Sequence, residues 1–274
     1  MYRSFIRSAL FVPASRPERV PKALASGADV VIIDLEDGVA KDGKGQARQA
    51  LDEALTHYLD GNVPIAVRIN APESEECDAD LALCARHPGI AALVVPKTES
   101  GGALRAVLSR CERPIWAQIE SARGLSRIEE IASSKGVERL SFGPLDLALD
   151  LGVTLDTSGG EAVLDQARYA LIMQSRLAGL DSPLAGTLPT IDDKTAIAAT
   201  ARRSRDMGFG GMLCIHPAQL GPVHEVFAPT VAELDWARRV VELAARSEAV
   251  FQIDGKMVDA PVIELARRML ASDE

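Results

Sequence analysis

The sequence predicts an α/β protein, a (β/α)8 TIM barrel followed by a C-terminal helical extension. Three observations predict it. Short β-branched runs alternate with longer amphipathic stretches along most of the chain. The short runs are continuously apolar, as in Val30-Val-Ile-Ile33 and Ala92-Leu-Val-Val95, the pattern of parallel strands buried on both faces. The length of 274 residues, 47% of them apolar and 25% charged, covers the roughly 250 that such a barrel uses and leaves a remainder. An open doubly wound sheet is the structural alternative. It would want a glycine-rich turn after the first strand, where this chain has Pro13-Ala-Ser-Arg-Pro17.

In chain order the expected strands are 8–12, 30–35, 64–69, 91–95, 114–119, 138–142, 183–185 and 211–215. Helical patterns fill the intervals at 17–26, 44–60, 75–86, 100–110, 121–135, 161–179 and 191–207. Gly27, Gly136, Gly179 and Gly208 fall just after helical stretches, where a left-handed terminal residue is expected. Eight strand–helix units with right-handed crossovers close most simply into a barrel. We therefore expect a catalytic barrel over 1–228 and an extension over 229–274. In the extension, Thr230-Val-Ala-Glu233 is a capping box that opens a helix with Leu234, Ala237, Val241 and Ala244 on one face. A last amphipathic helix runs to about Ala271.

Composition narrows the chemistry. The 39 Asp plus Glu outnumber the 30 Lys plus Arg, for a formal charge of −9, and no basic stripe suggests nucleic acid. Only four histidines and four cysteines are present, with neither an H-E-x-x-H motif nor a C-x-x-C pair. Unpaired thiols in a reducing cytoplasm are the expectation. The segment Met1–Arg7 is charged but runs into only the short apolar stretch Ala9–Val12, too short for a signal peptide. No run approaches the roughly 18 apolar residues of a membrane span.

Barrel enzymes carry their reactive groups at the C-terminal ends of strands. Here those ends read Asp34-Leu-Glu36-Asp37, Arg68-Ile-Asn70, Pro96-Lys97, Gln118-Ile-Glu120-Ser121, Gly143-Pro-Leu-Asp146, Gly186-Thr187 and His216-Pro217. Glu120 and Asp146, from adjacent strand ends, suit octahedral Mg²⁺ with water in the other positions; helix capping is the competing role for each. Arg68 ends an otherwise buried run and needs a partner, either an anionic substrate or an ion pair with Glu36 or Asp37. Alternation points Asp34 inward. Glu36 and Asp37 are candidates to hold metal-bound waters or to orient Arg68. Lys97 is a salt-bridge lysine or, alternatively, a Schiff-base amine. Arg16 is a phosphate-binding candidate or a surface residue, His216 lines a pocket or caps a helix, and Cys214 is packing.

Eight segments in order carry a resemblance: Leu10-Phe-Val-Pro-Ala-Ser-Arg16, Val31-Ile-Ile-Asp-Leu-Glu-Asp37, Val67-Arg-Ile-Asn70, Val95-Pro-Lys97, Ile119-Glu-Ser-Ala-Arg-Gly124, Phe142-Gly-Pro-Leu-Asp146, Cys214-Ile-His-Pro-Ala-Gln219 and Gly255-Lys-Met-Val-Asp-Ala-Pro261. Together they resemble the citrate lyase β-subunit family of the HpcH/HpaI aldolase group, close to malyl-CoA and citramalyl-CoA lyases. The resemblance implies a TIM barrel, Mg²⁺, and retro-Claisen cleavage of a β-hydroxyacyl-CoA to acetyl-CoA and a 2-oxo acid. It implies metal ligation by Glu120 and Asp146, substrate binding by Arg68 and an acid–base role for Asp259 in an adjoining subunit, hence a homotrimer or hexamer. Glu120 would also meet substrate, and Arg16 would meet CoA phosphate. Two departures fall at the substrate mouth: Leu145, where relatives commonly carry Glu, and Pro183-Leu-Ala-Gly-Thr-Leu188 in place of an Asp-Gly loop. A thioesterase on the same site, and a citrate-lyase-type subunit working with an acyl carrier protein, are the alternative functions.

Overall fold

The structure, a computed structural model, describes residues 5–59, 61–246 and 250–271. Residues 1–4, most of the segment weighed as a targeting signal, and residue 60, the expected end of the second helix, lie outside them. The chain divides into two compact units, one ending at His224 and the other beginning at Glu225.

The first unit is the expected barrel. Strands β1 (Ser8–Pro13), β2 (Val30–Asp34), β3 (Ile65–Arg68), β4 (Ala92–Val95), β5 (Ile115–Ile119), β6 (Val137–Phe142), β7 (Leu184–Ala185) and β8 (Gly211–Cys214) are parallel and pair in sequence order. β8 returns to β1 with Met212 opposite Ser8, so no edge is left open. Alternate residues point inward. Ala9, Val30, Ile32, Ala66, Val94 and Trp116 belong to one interior cluster, which fills the barrel as a packed core.

Helices α1 (Val20–Leu24), α2 (Lys44–Tyr58), α3 (Cys77–Arg86) and α4 (Gly101–Arg110) follow the first four strands. The stretch expected as one helix over 121–135 breaks at Arg127 into α5 (Ala122–Ser126) and α6 (Ile128–Ala132), because Arg127 leaves helical geometry at φ −115°, ψ 18°. A helix that the periodicity does not predict, α7 (Pro144–Leu151), follows β6 and carries Asp146 in its first turn. Its signal was present, since Pro144 and the left-handed Gly152 bracket an apolar run. α8 (Ser158–Leu177) and α9 (Lys194–Met207) complete the later units. α9 starts three residues later than expected because Asp193 caps it, accepting the Thr195 and Ala196 N–H groups at 3.0 Å. α10 (Leu220–Phe227) follows β8.

One irregularity matters for the site. Ile115 pairs with Val137 but Trp116 pairs with Arg139, so β6 bulges at Glu138. The bulge sets the facing of the rest of β6. It brings Ser141 opposite Gln118 and leads Gly143 alongside Glu120. The extra residue is tied down by the Trp116 indole, which donates to Glu138 at 3.0 Å.

The second unit contains α11 (Val231–Ala244), the hairpin β9 (Phe251–Ile253) and β10 (Lys256–Val258), and α12 (Ala260–Ala271). The predicted capping box is present: the Thr230 hydroxyl accepts the Glu233 N–H and the Glu233 carboxylate accepts the Thr230 N–H. Val240, rather than Val241, is the fully buried valine of α11. The hairpin turns on Asp254-Gly255, both left-handed at φ 53° and 77°, a turn type that Asp-Gly favours. Ala237, Val240, Ile253, Val258 and Ala266 form this unit's own small core. Among the described residues no helix is long and apolar enough to cross a membrane.

Candidate active site

β2 and β3 end side by side, with Asp34 opposite Arg68. The Arg68 guanidinium donates from Nε and Nη2 to the two Asp34 carboxylate oxygens, each at 2.7 Å. Asp34 also accepts the N–H groups of Glu36 and Gly38 at 2.9 Å, so four donors converge on one carboxylate. Gly38 is required for that close approach, since a Cβ there would lie 2.6 Å from Asp34 Oδ2. The guanidinium stacks over Phe11, 4.7 Å from the ring centre. The expected partners of Arg68 were Glu36 or Asp37. Glu36 does lie 3.1 Å from Nη1, but as an ion pair without hydrogen-bond alignment. Asp37 is exposed and pairs with Lys97 at 3.8 Å; its charge reaches Arg68 without an ion-pair contact among the described residues. Asp34 takes the principal role because its inward, pleat-defined position faces Arg68 on the neighbouring strand.

Glu120 follows β5 and is buried. One oxygen accepts the Lys97 N–H at 2.6 Å and the other accepts the Gln118 side-chain amide at 2.5 Å. Burial pushes the Glu120 carboxyl up to about 7, the Glu36 charge adds to this, the Lys97 N–H opposes it, and Asp146 pushes it up again. Glu36 is likewise raised, chiefly by burial, against the pull of Arg68 and Lys97. Its partner is the Lys97 ammonium, which touches its other oxygen. Lys97 has a left-handed backbone at φ 46°, uncommon for a side chain of this size, and its N–H thereby meets Glu120. Burial pulls the Lys97 ammonium down, but hydrogen bonding and charge from Glu36 outweigh this and raise it. A Schiff-base nucleophile needs the opposite shift, and the contact that the structure shows for Lys97 is the salt bridge with Glu36.

Gly143 runs so close to Glu120 that a Cβ would sit 2.4 Å from Oε2. Gln118 and Gly143 line a cavity of about 290 Å³ at the C-terminal ends of the strands, with Asp34, Arg68, Asp146 and Thr187. The Gln118 carbonyl oxygen has no hydrogen-bond partner although its residue is 95% buried, being 5% exposed. Among the described residues no three His, Cys, Asp or Glu side chains assemble into a metal-binding group. A larger cavity of about 650 Å³ lies at the other end of the barrel, where Asp29, Glu138 and Asp181 are already matched by Arg7, Trp116 and Arg139.

Other predicted residues are placed as follows. Arg16 is exposed and pairs with Glu18 at 2.7 Å; it does not itself line the cavity, although its N–H donates to the carbonyl of Pro13, which does. His216 caps a turn, accepting the Ala218 N–H at 3.2 Å. Cys214 is buried, its thiol pushed up to about 12 by desolvation. Asp259 precedes α12, half-buried, and accepts the Val262 N–H at 3.4 Å. Asp34 as the arginine clamp, and Gln118 and Gly143 as supports of Glu120, were not assigned roles from sequence. The signal for Gln118 was its place two residues before Glu120, on the same strand face.

Residues 7–217 match the family described as HpcH/HpaI aldolase/citrate lyase. A citrate lyase subunit beta-like protein of Deinococcus radiodurans is 33% identical over 98% of both chains. A (3S)-malyl-CoA thioesterase of Cereibacter sphaeroides is 34% identical over 98% of this chain and 94% of its own. The crystal structure of protein CitE from Mycobacterium tuberculosis, in complex with magnesium, acetoacetate and coenzyme A, superposes with a TM-score of 0.86 at 34% identity, covering 99% of this chain and 100% of the other. A closed eight-stranded barrel with its charged residues at the strand ends, matched end to end by these relatives, makes this chain a member of the HpcH/HpaI aldolase/citrate lyase family of enzymes.

Proposed function

We propose that this protein is a Mg²⁺-dependent carbon–carbon lyase that cleaves a β-hydroxyacyl-CoA of the citramalyl-, malyl- or citryl-CoA type to acetyl-CoA and a 2-oxo acid. The observation that carries this reading is the convergence of a clamped arginine, Arg68, with the carboxylates Glu120 and Asp146 at one end of the barrel. The residues fit the metal. Gly143 leaves Glu120 Oε2 room that any Cβ would fill, the Gln118 carbonyl is unpartnered, and negative charge accumulates among Glu36, Glu120 and Asp146. Two carboxylates with water and substrate oxygens in the remaining positions suit Mg²⁺. When bound, it would stabilise negative charge developing on the oxygens of the acid half of the substrate.

The chain's own residues supply the rest. In cleavage the β-hydroxyl gives its proton to water and its carbon becomes the keto carbon of the 2-oxo acid. The Cα–Cβ bond breaks, and its electron pair passes to the thioester enolate. Arg68 directs two of its five N–H groups at Asp34; the others are available to the enolate oxygen. Asp259, from an adjoining copy in a homotrimer or hexamer, gives the enolate carbon its proton. Arg16 meets a CoA phosphate. Lys97 and Glu36 orient Glu120 and Arg68.

A second reading is thioester hydrolysis on the same site, favoured by the malyl-CoA thioesterase relative. Product analysis separates the two. With Mg²⁺, a lyase yields acetyl-CoA and a 2-oxo acid in equal amounts, whereas a thioesterase yields free CoA and the intact hydroxy acid. Glu120→Ala is expected to lower turnover by about 10²-fold or more, as loss of a preorganised electrostatic group does. Unchanged turnover in that variant would refute the site assignment.

A further inference from the structure

The cavity lining is mixed. Asp34, Asp37, Arg68, Gln118 and Asp146 contribute polar or charged groups. Phe11, Phe142, Leu213, Leu145 and Ile215 contribute apolar surface. Leu145 and Ile215 are 42% and 44% exposed, large side chains left open next to a charged centre. Covering them with an alkyl group is favourable by the area removed from water.

Charge bears on the same choice. Arg68 is the only cation lining the cavity among the described residues; two of its N–H groups are held by Asp34, Glu36 pairs with it, and the rest are those the lyase reading assigns to the enolate oxygen. Asp37 and Asp146 line the cavity as further carboxylates. One ligand carboxylate can be served by the metal proposed at Glu120 and Asp146. A second would enter a space lined by Leu145, Ile215 and the carboxylates of Asp34, Asp37 and Asp146, where like charge repels it and no further cation pairs it.

We infer that the acid half of the substrate is a 2-oxo monocarboxylate with a short alkyl substituent, so that the thioester is of the citramalyl-CoA kind, yielding pyruvate, and not of the citryl-CoA kind, yielding oxaloacetate. This inference rests on the lyase reading above. Leu145 and Ile215 are then its specificity-determining residues: they contact the substituent that a second carboxylate would replace. The cavity of about 290 Å³ has room for a short acid, and the nucleotide of CoA lies outside it.

The test is kcat/KM of the full chain, with Mg²⁺, on citramalyl-CoA, malyl-CoA and citryl-CoA. Citramalyl-CoA should exceed citryl-CoA by about 10²-fold, as an unpaired charge set among like charges, against a covered alkyl group, predicts. Malyl-CoA, which lacks the methyl group, should fall below citramalyl-CoA by about 10-fold. Leu145→Lys, and separately Ile215→Lys in case one variant misfolds, should move the ratio toward citryl-CoA by at least about 10-fold, because each supplies the missing cation. Citryl-CoA turned over as fast as or faster than citramalyl-CoA overturns the inference and leaves the lyase reading intact. If no thioester is cleaved, the lyase reading fails. The pocket is then read by Mg²⁺-dependent thermal shift with pyruvate against oxaloacetate, where equal or larger stabilisation by oxaloacetate overturns the inference as well.

Discussion

Arg68 and Asp34 show how a charge is made usable inside a barrel. Their side chains are 11% and 5% exposed, so neither ion has solvent to fall back on. The pair persists because Asp34 is fully saturated, by two guanidinium and two backbone N–H groups, and because Phe11 covers the cation. Removing one partner from such a pair strands the other. Asp34→Asn keeps the shape but sets an amide donor or a lone carbonyl against a two-donor fork, and about 3–5 kcal/mol of stability is expected to be lost. Urea titration measures this, and a loss below about 1 kcal/mol would mean that the clamp is not structural. The same variant should lower kcat more than it raises KM, because Arg68 is proposed to act on charge that develops during the reaction.

At the scale of elements, the β6 bulge, Gly143 and α7 form one device. The extra residue Glu138 sets which side of β6 faces inward, Gly143 then passes against Glu120, and the helix that begins at Pro144 presents Asp146 from its first turn. A methyl group at 143 would meet both Oε2 and Cβ of Glu120, at 2.4 and 2.5 Å, so the carboxylate cannot simply swing away. Gly143→Ala is therefore expected to cost about 1–3 kcal/mol through overpacking. It should also weaken Mg²⁺ binding by about 10-fold or more, as displacement of a ligand's supports does. Isothermal titration with Mg²⁺ decides it, since wild-type affinity in this variant would separate Glu120 from the metal.

The barrel as a whole is closed by contacts between the two ends of its own segment of chain. The Ser8 hydroxyl meets His224 Nε2 at 2.7 Å across 216 residues, beside the Arg7–Asp29 ion pair. Burial lowers the His224 imidazole below its usual value, Arg7 lowers it further, and Asp29 opposes both. The folded state thus favours neutral His224, and the unfolded chain binds its proton more readily. Stability from this group is fully present above about 6.5, the unfolded value, and is lost as pH falls through the lower folded one. Asp29 adds the same sign at lower pH: desolvation raises it, but the hydrogen bonds from Arg7 leave it below 3.8, so its contribution is present above that value and fades on acidification. His224→Gln, which cannot protonate, should remove the part of the acid-side slope in Tm that begins near pH 6.5 and leave the Asp29 part. An unchanged slope would assign the acid sensitivity elsewhere.

The sequence by itself determined the barrel, the order of its strands and the identity of the charged residues at their ends. Continuous apolar runs such as Val30-Val-Ile-Ile33 encode strands buried on both faces, and βα alternation admits few topologies. Asp254-Gly255 and the Pro144-to-Gly152 bracket were legible too, as turn and capping chemistry, although hydrophobic period alone passes over them. What only the tertiary structure decided was which charges meet. That Arg68 is held by Asp34 and not by Asp37, that Gln118 and the left-handed Lys97 N–H hold Glu120, and that Leu145 and Ile215 line the same cavity all depend on the register of neighbouring strands and on the β6 bulge. Strand pairing fixes which residues are neighbours across 20 to 200 positions of sequence, and in a low-dielectric interior those neighbours set the charge, the pKa and the available space.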